Sequence, residues 1–126
     1  MDMESCFDKE TRKGGTFQKM IEIKEVVFVS KKLKGDYENL KDGKFEDKEL
    51  YNFITRAIED LKKDPLCGTR IPKRLIPKEY SVSALWKYDL PNAWRLIYTV
   101  VGNDVKIVSV ILEWMTHKEY ERRFNY

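Results

Sequence analysis

The spacing of hydrophobic residues changes along this chain, and each change predicts a new structural element. Residues 21–29 are rich in β-branched and aromatic side chains, which is typical of a strand. Ser30 follows and is a good helix N-cap. Leu33, Tyr37 and Leu40 then occur at i, i+4 and i+7. This spacing predicts a first helix directly after the strand.

The strongest helical pattern lies between residues 50 and 61. Its apolar residues follow one another at helical spacings, and they are Leu50, Phe53, Ile54, Ala57, Ile58 and Leu61. Such a stripe predicts an amphipathic helix that packs on a sheet or on the first helix. Asp64-Pro65 ends this helix, and a loop rich in glycine, proline and basic residues follows up to about residue 83.

Three further strands are predicted over residues 84–90, 94–101 and 105–113. The turns between them are short, so we expect an antiparallel meander. Alternation along the strands separates two faces. The side chains expected to face the helices are Trp86, Tyr88, Leu90, Trp94, Leu96, Tyr98 and Val100. Those expected on an open, charged face are Lys87, Asp89, Arg95, Ile97 and Thr99.

The two ends of the chain differ in pattern. Residues 116–124 begin with a threonine cap and contain Glu119 and Arg123 at i, i+4, which predicts a short C-terminal helix. Residues 1–19 have no periodic apolar pattern, so we expect a disordered tail before a domain over 20–126. The predicted fold is α+β, with about four antiparallel strands, two N-terminal helices packed on one face and a short C-terminal helix.

Composition narrows the class of protein. A chain of 126 residues suits one domain, and its 42% hydrophobic and 36% charged content indicates a real core beneath a highly charged surface. The net charge of +3 is too small to indicate a polyanionic partner by itself. The distribution is more informative, because residues 62–78 contain six basic side chains and one acidic one.

Several classes of site are not expected. Cys6, Cys67 and His117 provide neither a disulfide framework nor metal-ligand spacing, so we expect no metal site. Cys67 has no histidine near it in sequence, which argues against a cysteine nucleophile. The N-terminus lacks the pattern of a signal peptide, and the apolar runs are only as long as strands. We therefore expect a cytoplasmic protein with no membrane contact.

The order of the elements, with Arg-Leu-Ile-Tyr at 95–98 and His-x-x-Tyr at 117–120, resembles the RelE/ParE toxin superfamily over roughly residues 20–124. The resemblance implies a toxin that forms a hetero-oligomer with a cognate antitoxin. RelE-type members cut mRNA on the ribosome without a metal or other cofactor, through attack of the ribose 2′-OH. ParE-type members inhibit DNA gyrase. Our leading interpretation is the ribosome-dependent endonuclease; a ParE-like inhibitor and an inactive family member are the alternatives.

The resemblance also implies site residues. Arg95 matches an arginine on the central strand, whose planar group suits phosphate oxygens; the alternative is an arginine paired with Asp89. His117 lies where relatives carry a catalytic basic residue, and histidine can accept and donate a proton near neutral pH; it could also serve as a cap. Tyr120 matches a C-terminal aromatic that stacks on a base or contacts phosphate, although a core role is equally consistent.

Lys87 matches the first lysine of a Lys-x-Lys strand in RelE-like nucleases, but Asp89 occupies the second position. A carboxylate there changes the local charge and could itself accept a proton. Some ribosome-dependent relatives use a Glu, Arg and His set, which Asp89, Arg95 and His117 resemble. One hypothesis is therefore that these three residues form the catalytic set. Lys87 and Tyr120 are further candidate catalytic residues.

Basic side chains of the loop and the last helix are expected to contact the RNA backbone, because clustered Lys and Arg gain affinity from counterion release. They are Arg70, Lys73, Arg74, Lys78, Lys118, Arg122 and Arg123. The alternative is a charged, solvated surface. Trp114, Phe124 and Tyr126 are interpreted as side chains that dock the last helix on the sheet.

Overall fold

A computed structural model describes residues 23–103 and 105–124, so the predicted N-terminal tail and Tyr126 lie outside the described residues. The elements are β1 (Ile23–Phe28), α1 (Lys31–Asn39), α2 (Phe45–Lys63), β2 (Thr69–Arg70), β3 (Trp86–Leu90), β4 (Trp94–Gly102), β5 (Lys106–Thr116) and α3 (His117–Phe124). Short 3₁₀ turns lie at Leu40–Asp42, Lys73–Leu75 and Lys78–Tyr80. The predicted α+β class is confirmed, and the described residues form three α-helices.

The described residues form a sheet of five strands in the order β1-β5-β4-β3-β2. The meander β3-β4-β5 is antiparallel as predicted, but β1 pairs with β5 in parallel, from Ile23↔Lys106 to Phe28↔Ile111. The prediction of about four antiparallel strands is therefore wrong in strand number and in one direction. Helices α1 and α2 follow β1 and provide the crossover that a parallel pair requires. The strand that was not predicted is β2. It has two residues, lies in the segment predicted as a loop, and pairs with β3.

Helices α1 and α2 cover one face of the sheet and form the first core. Its buried members are Leu50, Ile54, Ala57, Leu61, Leu90, Leu96, Tyr98 and Ile111. The predicted stripe of α2 and the predicted inward face of β3 and β4 are confirmed, since Trp86, Tyr88, Trp94 and Val100 pack against this cluster. Ser30 caps α1 as predicted, because its hydroxyl accepts the N–H of Leu33 at 3.1 Å.

Tyr98 joins this core to the chain that follows α2. Its ring is fully buried, its hydroxyl donates to the Pro65 carbonyl at 2.9 Å, and the same oxygen accepts the Gly68 N–H at 3.1 Å. A Cβ at residue 68 would lie 2.5 Å from the Lys87 carbonyl oxygen and 2.6 Å from the Tyr98 hydroxyl. Only glycine lets the backbone approach β3 and β4 this closely.

The opposite face carries a second core that the sequence did not predict. Its buried members are Ile71, Leu85, Ile97, Met115, Tyr120 and Phe124. The expectation of an open, charged face is wrong for Ile97 and Thr99, which are 0% and 8% exposed. Helix α3 and the segment between β2 and β3 cover them. The charged side chains of this face, Lys87, Asp89 and Arg95, lie together at the end of the sheet near the β3-β4 turn.

A bulge in β5 shapes this second face. Ile97 pairs with Glu113 whereas the next residue, Tyr98, pairs with Ile111, so β5 has one extra residue, Leu112. An extra residue shifts the alternation of side chains beyond it. As a result, Leu112 packs against the second core and Glu113, its neighbour, pairs with Arg123 of α3.

Candidate functional site

The charged end of the sheet is built on one pair of opposed residues. Asp89 of β3 lies directly across from Arg95 of β4, and Asp89 Oδ1 is 3.1 Å from Arg95 Nε. The same oxygen accepts a hydrogen bond from Lys87 Nζ at 2.9 Å. The carboxylate is 57% exposed, whereas the side chains of Lys87 and Arg95 are 19% and 16% exposed. One accessible anion is thus held by two largely covered cations.

His117 is added to this pair by α3. Helix α3 begins at His117, whose backbone N–H donates to the Ala93 carbonyl at 2.6 Å. The imidazole Nδ1 lies 2.8 Å from Arg95 Nη2. Because a guanidinium has only donors, Nδ1 must accept this hydrogen bond, and the proton of the neutral ring lies on Nε2. The structure therefore brings Asp89, Arg95 and His117 together, although they are separated in sequence.

Glu121 also belongs to this site, although the sequence pattern did not lead us to predict it. Its Oε2 lies 3.1 Å from His117 Nε2, one helical turn further along α3. The i, i+4 spacing of His117 and Glu121 was the available signal for this contact. The imidazole thus lies between a guanidinium on one nitrogen and a carboxylate on the other, which fixes the ring orientation. Its side chain is 44% exposed and can be reached from solvent.

Tyr120 lies beneath the site. It is 2% exposed and stacks on Phe124 with 4.6 Å between ring centroids. Lys87 Nζ lies 5.9 Å from the Tyr120 ring centroid, so the ring supports the lysine from the core side. A buried ring offers no face to a base in this conformation. The position of Tyr120 agrees with the core role that the sequence left open.

The predicted RNA-binding residues fall into two groups. Arg70, Lys73, Arg74, Lys78 and Lys118 are exposed, and within the described part of the chain none of them is paired with a carboxylate. Arg122 instead pairs with Glu119. Arg123 lies 3.0 Å from Glu113 and 2.9 Å from Glu119, and Tyr80 donates a hydrogen bond to Glu113. Glu119 and Glu113 thus neutralise much of the charge of the last two arginines.

The described residues show neither a metal-binding cluster nor a membrane-spanning helix. Over residues 23–103 and 105–124, no group of three or more His, Cys, Asp or Glu side chains could hold a metal ion. No helix in the same ranges is long and apolar enough to cross a membrane. What the site does offer is an exposed carboxylate, a positive planar group and an imidazole, which are groups that move protons and bind anions.

The comparison with known proteins rests on structure. No protein-family model and no curated protein matches the sequence. Among solved structures, the YoeB/ParE toxin from Agrobacterium tumefaciens is similar with a TM-score of 0.54, at 19% sequence identity over 74% of this chain and 98% of that chain. The chain has the fold of a YoeB/ParE toxin. The RelE/ParE resemblance predicted from the sequence is thereby confirmed as a likeness of fold, and nearly the whole length of the toxin is matched within this chain.

Proposed function

We propose that this chain is the toxin of a type II toxin-antitoxin system and cleaves mRNA on the ribosome. The observation that carries the proposal is the convergence of Asp89, Arg95 and His117 at one solvent-accessible end of the sheet. The YoeB/ParE fold supports the toxin class. Cytoplasmic location, the cognate antitoxin, and the ribosome and its mRNA as partners belong to the same proposal.

Each group has a role in cleavage by the ribose 2′-OH. Asp89 takes the proton of the 2′-OH as O2′ forms a bond to phosphorus. Arg95 binds the non-bridging phosphate oxygens, where negative charge builds up in the transition state. His117 takes up a proton from water on Nδ1 once Arg95 has left that nitrogen, and the resulting imidazolium gives a proton to O5′ as the P–O5′ bond breaks. The products are a 2′,3′-cyclic phosphate and a 5′-hydroxyl.

Arg95 contacts both of the groups that would transfer protons. Arg95 donates a hydrogen bond to Nδ1 of His117 and forms an ion pair with Asp89. The same guanidinium therefore binds both groups. A bound phosphate competes for Arg95, because charged hydrogen bonds to phosphate are strong and can be bidentate. When Arg95 moves onto the phosphate, it releases the carboxylate and the imidazole for proton transfer. Lys87, beside Asp89, adds positive charge.

A ParE-like inhibitor of DNA gyrase or another protein is the second candidate. Exposed apolar residues at the far end of the sheet favour a protein contact: Ile23, Val27, Val101 and Val105 are 39–53% exposed. Strand β1 carries two of them and is an edge strand of the sheet formed by the described residues. Such a surface suits an antitoxin or a protein target. A chain that acted only through it would not need the Asp89, Arg95 and His117 cluster.

Expression in bacteria with primer extension on translated and untranslated mRNA tests the proposal. We expect growth arrest and cuts only in translated message for the wild-type chain. Arg95→Ala and His117→Ala should each lose the cuts, while Arg56→Ala, an exposed arginine on α2, should behave like wild type. Arrest without cuts would move the assignment to the inhibitor, and absence of both would indicate an inactive family member.

A further inference from the structure

A groove of about 310 Å³ lies at the outer edge of the sheet, where β2 ends. Its apolar wall includes Ile71, Ile76 and Ala84, and its polar groups include Arg70, Lys73 and Ser83. A groove with an apolar wall and a basic rim suits a ligand that has a flat apolar part beside an anionic part. Nucleotides have this composition, because each base is joined to a phosphate.

The guanidinium of Arg70 is oriented so that a nucleotide base could stack on it. Its guanidinium lies 5.4 Å from the centroid of the Trp86 ring, which it covers from one side. A guanidinium stacked in this way is restrained, and its flat surface is a platform on which RNA bases stack. Acidic peptides, by contrast, need the charge of the arginine but not its plane.

The surrounding charge attracts an anionic strand. Lys73, Arg74 and Lys78 are exposed beside the groove, and no described carboxylate pairs with them. This part of the surface is therefore not neutralised from within the described chain, in contrast to Arg122 and Arg123. Unneutralised cations gain the most from binding a phosphate backbone, because counterions are released.

The groove and the charged end of the sheet meet at the outer edge of the sheet. Arg70 pairs with Trp86 on β3, and Asp89 is three residues further along the same strand. Because side chains alternate along a strand, Arg70 and Trp86 lie on the face covered by α1 and α2, whereas Lys87 and Asp89 lie on the other face. An RNA strand that contacts both must therefore pass around this edge.

We propose that this groove binds the base of a single-stranded RNA nucleotide outside the scissile position, with Arg70 stacked on the base and Lys73 on the backbone. The inference rests on the proposed function, because the strand must also reach Arg95. The groove would be a second contact between the protein and the RNA strand, and it would affect sequence preference or affinity. The partner class is single-stranded RNA, and an acidic peptide is the competing occupant.

The test measures fluorescence anisotropy of labelled ribonucleotide hexamers A6, C6, G6 and U6 with the full chain. Ser83→Trp fills the groove from an exposed position, and Arg70→Lys keeps the charge but removes the plane. Asn52→Trp and Arg56→Ala, exposed on α2, are the matched controls. We expect Ser83→Trp to weaken binding by about five-fold to a hundred-fold, the range for loss of one base stack. Arg70→Lys should weaken it less, and the controls should match wild type with unchanged circular dichroism.

Cleavage of translated mRNA separates the two proposals. If Ser83→Trp binds hexamers and cuts mRNA like wild type while Arg95→Ala does not cut, the groove inference is overturned and the nuclease stands. If wild type binds labelled hexaglutamate but no hexamer, and Ser83→Trp loses the peptide, the groove is a peptide site and the inference is overturned. Loss of cuts in Arg95→Ala together with weakened hexamer binding by Ser83→Trp would support both.

Discussion

Replacing Tyr98 with Phe should destabilise the protein by removing two hydrogen bonds from a fully buried position. The hydroxyl donates to the Pro65 carbonyl and accepts from the Gly68 N–H, at 2.9 and 3.1 Å. A neutral hydrogen bond contributes about 1 kcal/mol to stability, and each partner left unsatisfied in the interior adds to the loss. We therefore expect the free energy of unfolding to fall by about 2–3 kcal/mol.

Urea denaturation at pH 7 measures this loss. A domain of this size should lose about 4 °C in Tm for each kcal/mol, so thermal melting should fall by roughly 8–12 °C. Tyr88→Phe is a graded control, because the Tyr88 hydroxyl makes one hydrogen bond, to Asp60, at a half-buried position. It should cost about 1 kcal/mol. Equal midpoints for Tyr98→Phe and wild type would refute the inferred role of the Tyr98 hydroxyl.

The same hydroxyl predicts a pH dependence. Burial raises the pKa of Tyr98 to about 12 from its ordinary value of 10.0. The unfolded chain therefore releases this proton first, and stability that is complete below pH 10 is lost as pH rises toward 12. The slope of unfolding free energy against pH should be shallower in Tyr98→Phe by about 1.4 kcal/mol per pH unit within this window. An unchanged slope would contradict the argument.

Two further predictions concern the charged end of the sheet and the free thiol. Asp89→Asn should keep the fold and lower the rate of mRNA cleavage by about 10²- to 10⁴-fold, measured by single-turnover cleavage of ribosome-bound message; a wild-type rate would remove Asp89 from the mechanism. Burial, with Asp64 beside it, raises the pKa of Cys67 to about 11. Its reaction with a disulfide reagent should therefore be slow at pH 7 and accelerate up to about pH 11; fast labelling at pH 7 would contradict this.

Repeated patterns in the sequence predicted the first core well. The stripe from Leu50 to Leu61 and the alternation along β3 and β4 each repeat several times, so one face of each element is defined without knowledge of the rest. The grouping of Asp89, Arg95 and His117 was also accessible, because the resemblance assigned two of them to adjacent strands and one to the start of the last helix. The structure agrees on both points.

The second core could not be predicted in the same way. Its residues between β2 and β3, such as Ile71, Leu75 and Tyr80, have no regular spacing, so they show neither a helix nor a strand period. β2 is too short for alternation to be visible. The neutralisation of Arg123 depends on Glu113, a strand residue ten positions earlier. That contact follows from tertiary packing and leaves no local pattern.

The bulge at Leu112 links this second core to the position of the charged site formed by Asp89, Arg95 and His117. If the same sequence ran through Leu112 as a regular strand, without the bulge, the later side chains of β5 would alternate in the opposite phase, and Met115 would face α1 and α2 instead of the second core. Because α3 begins directly after β5, the direction in which His117 leaves the sheet depends on the same register. Packing of Phe124 in the second core and the contact of His117 with Arg95 therefore both depend on one local irregularity. A change that removes the bulge should disturb the second core and the charged site together.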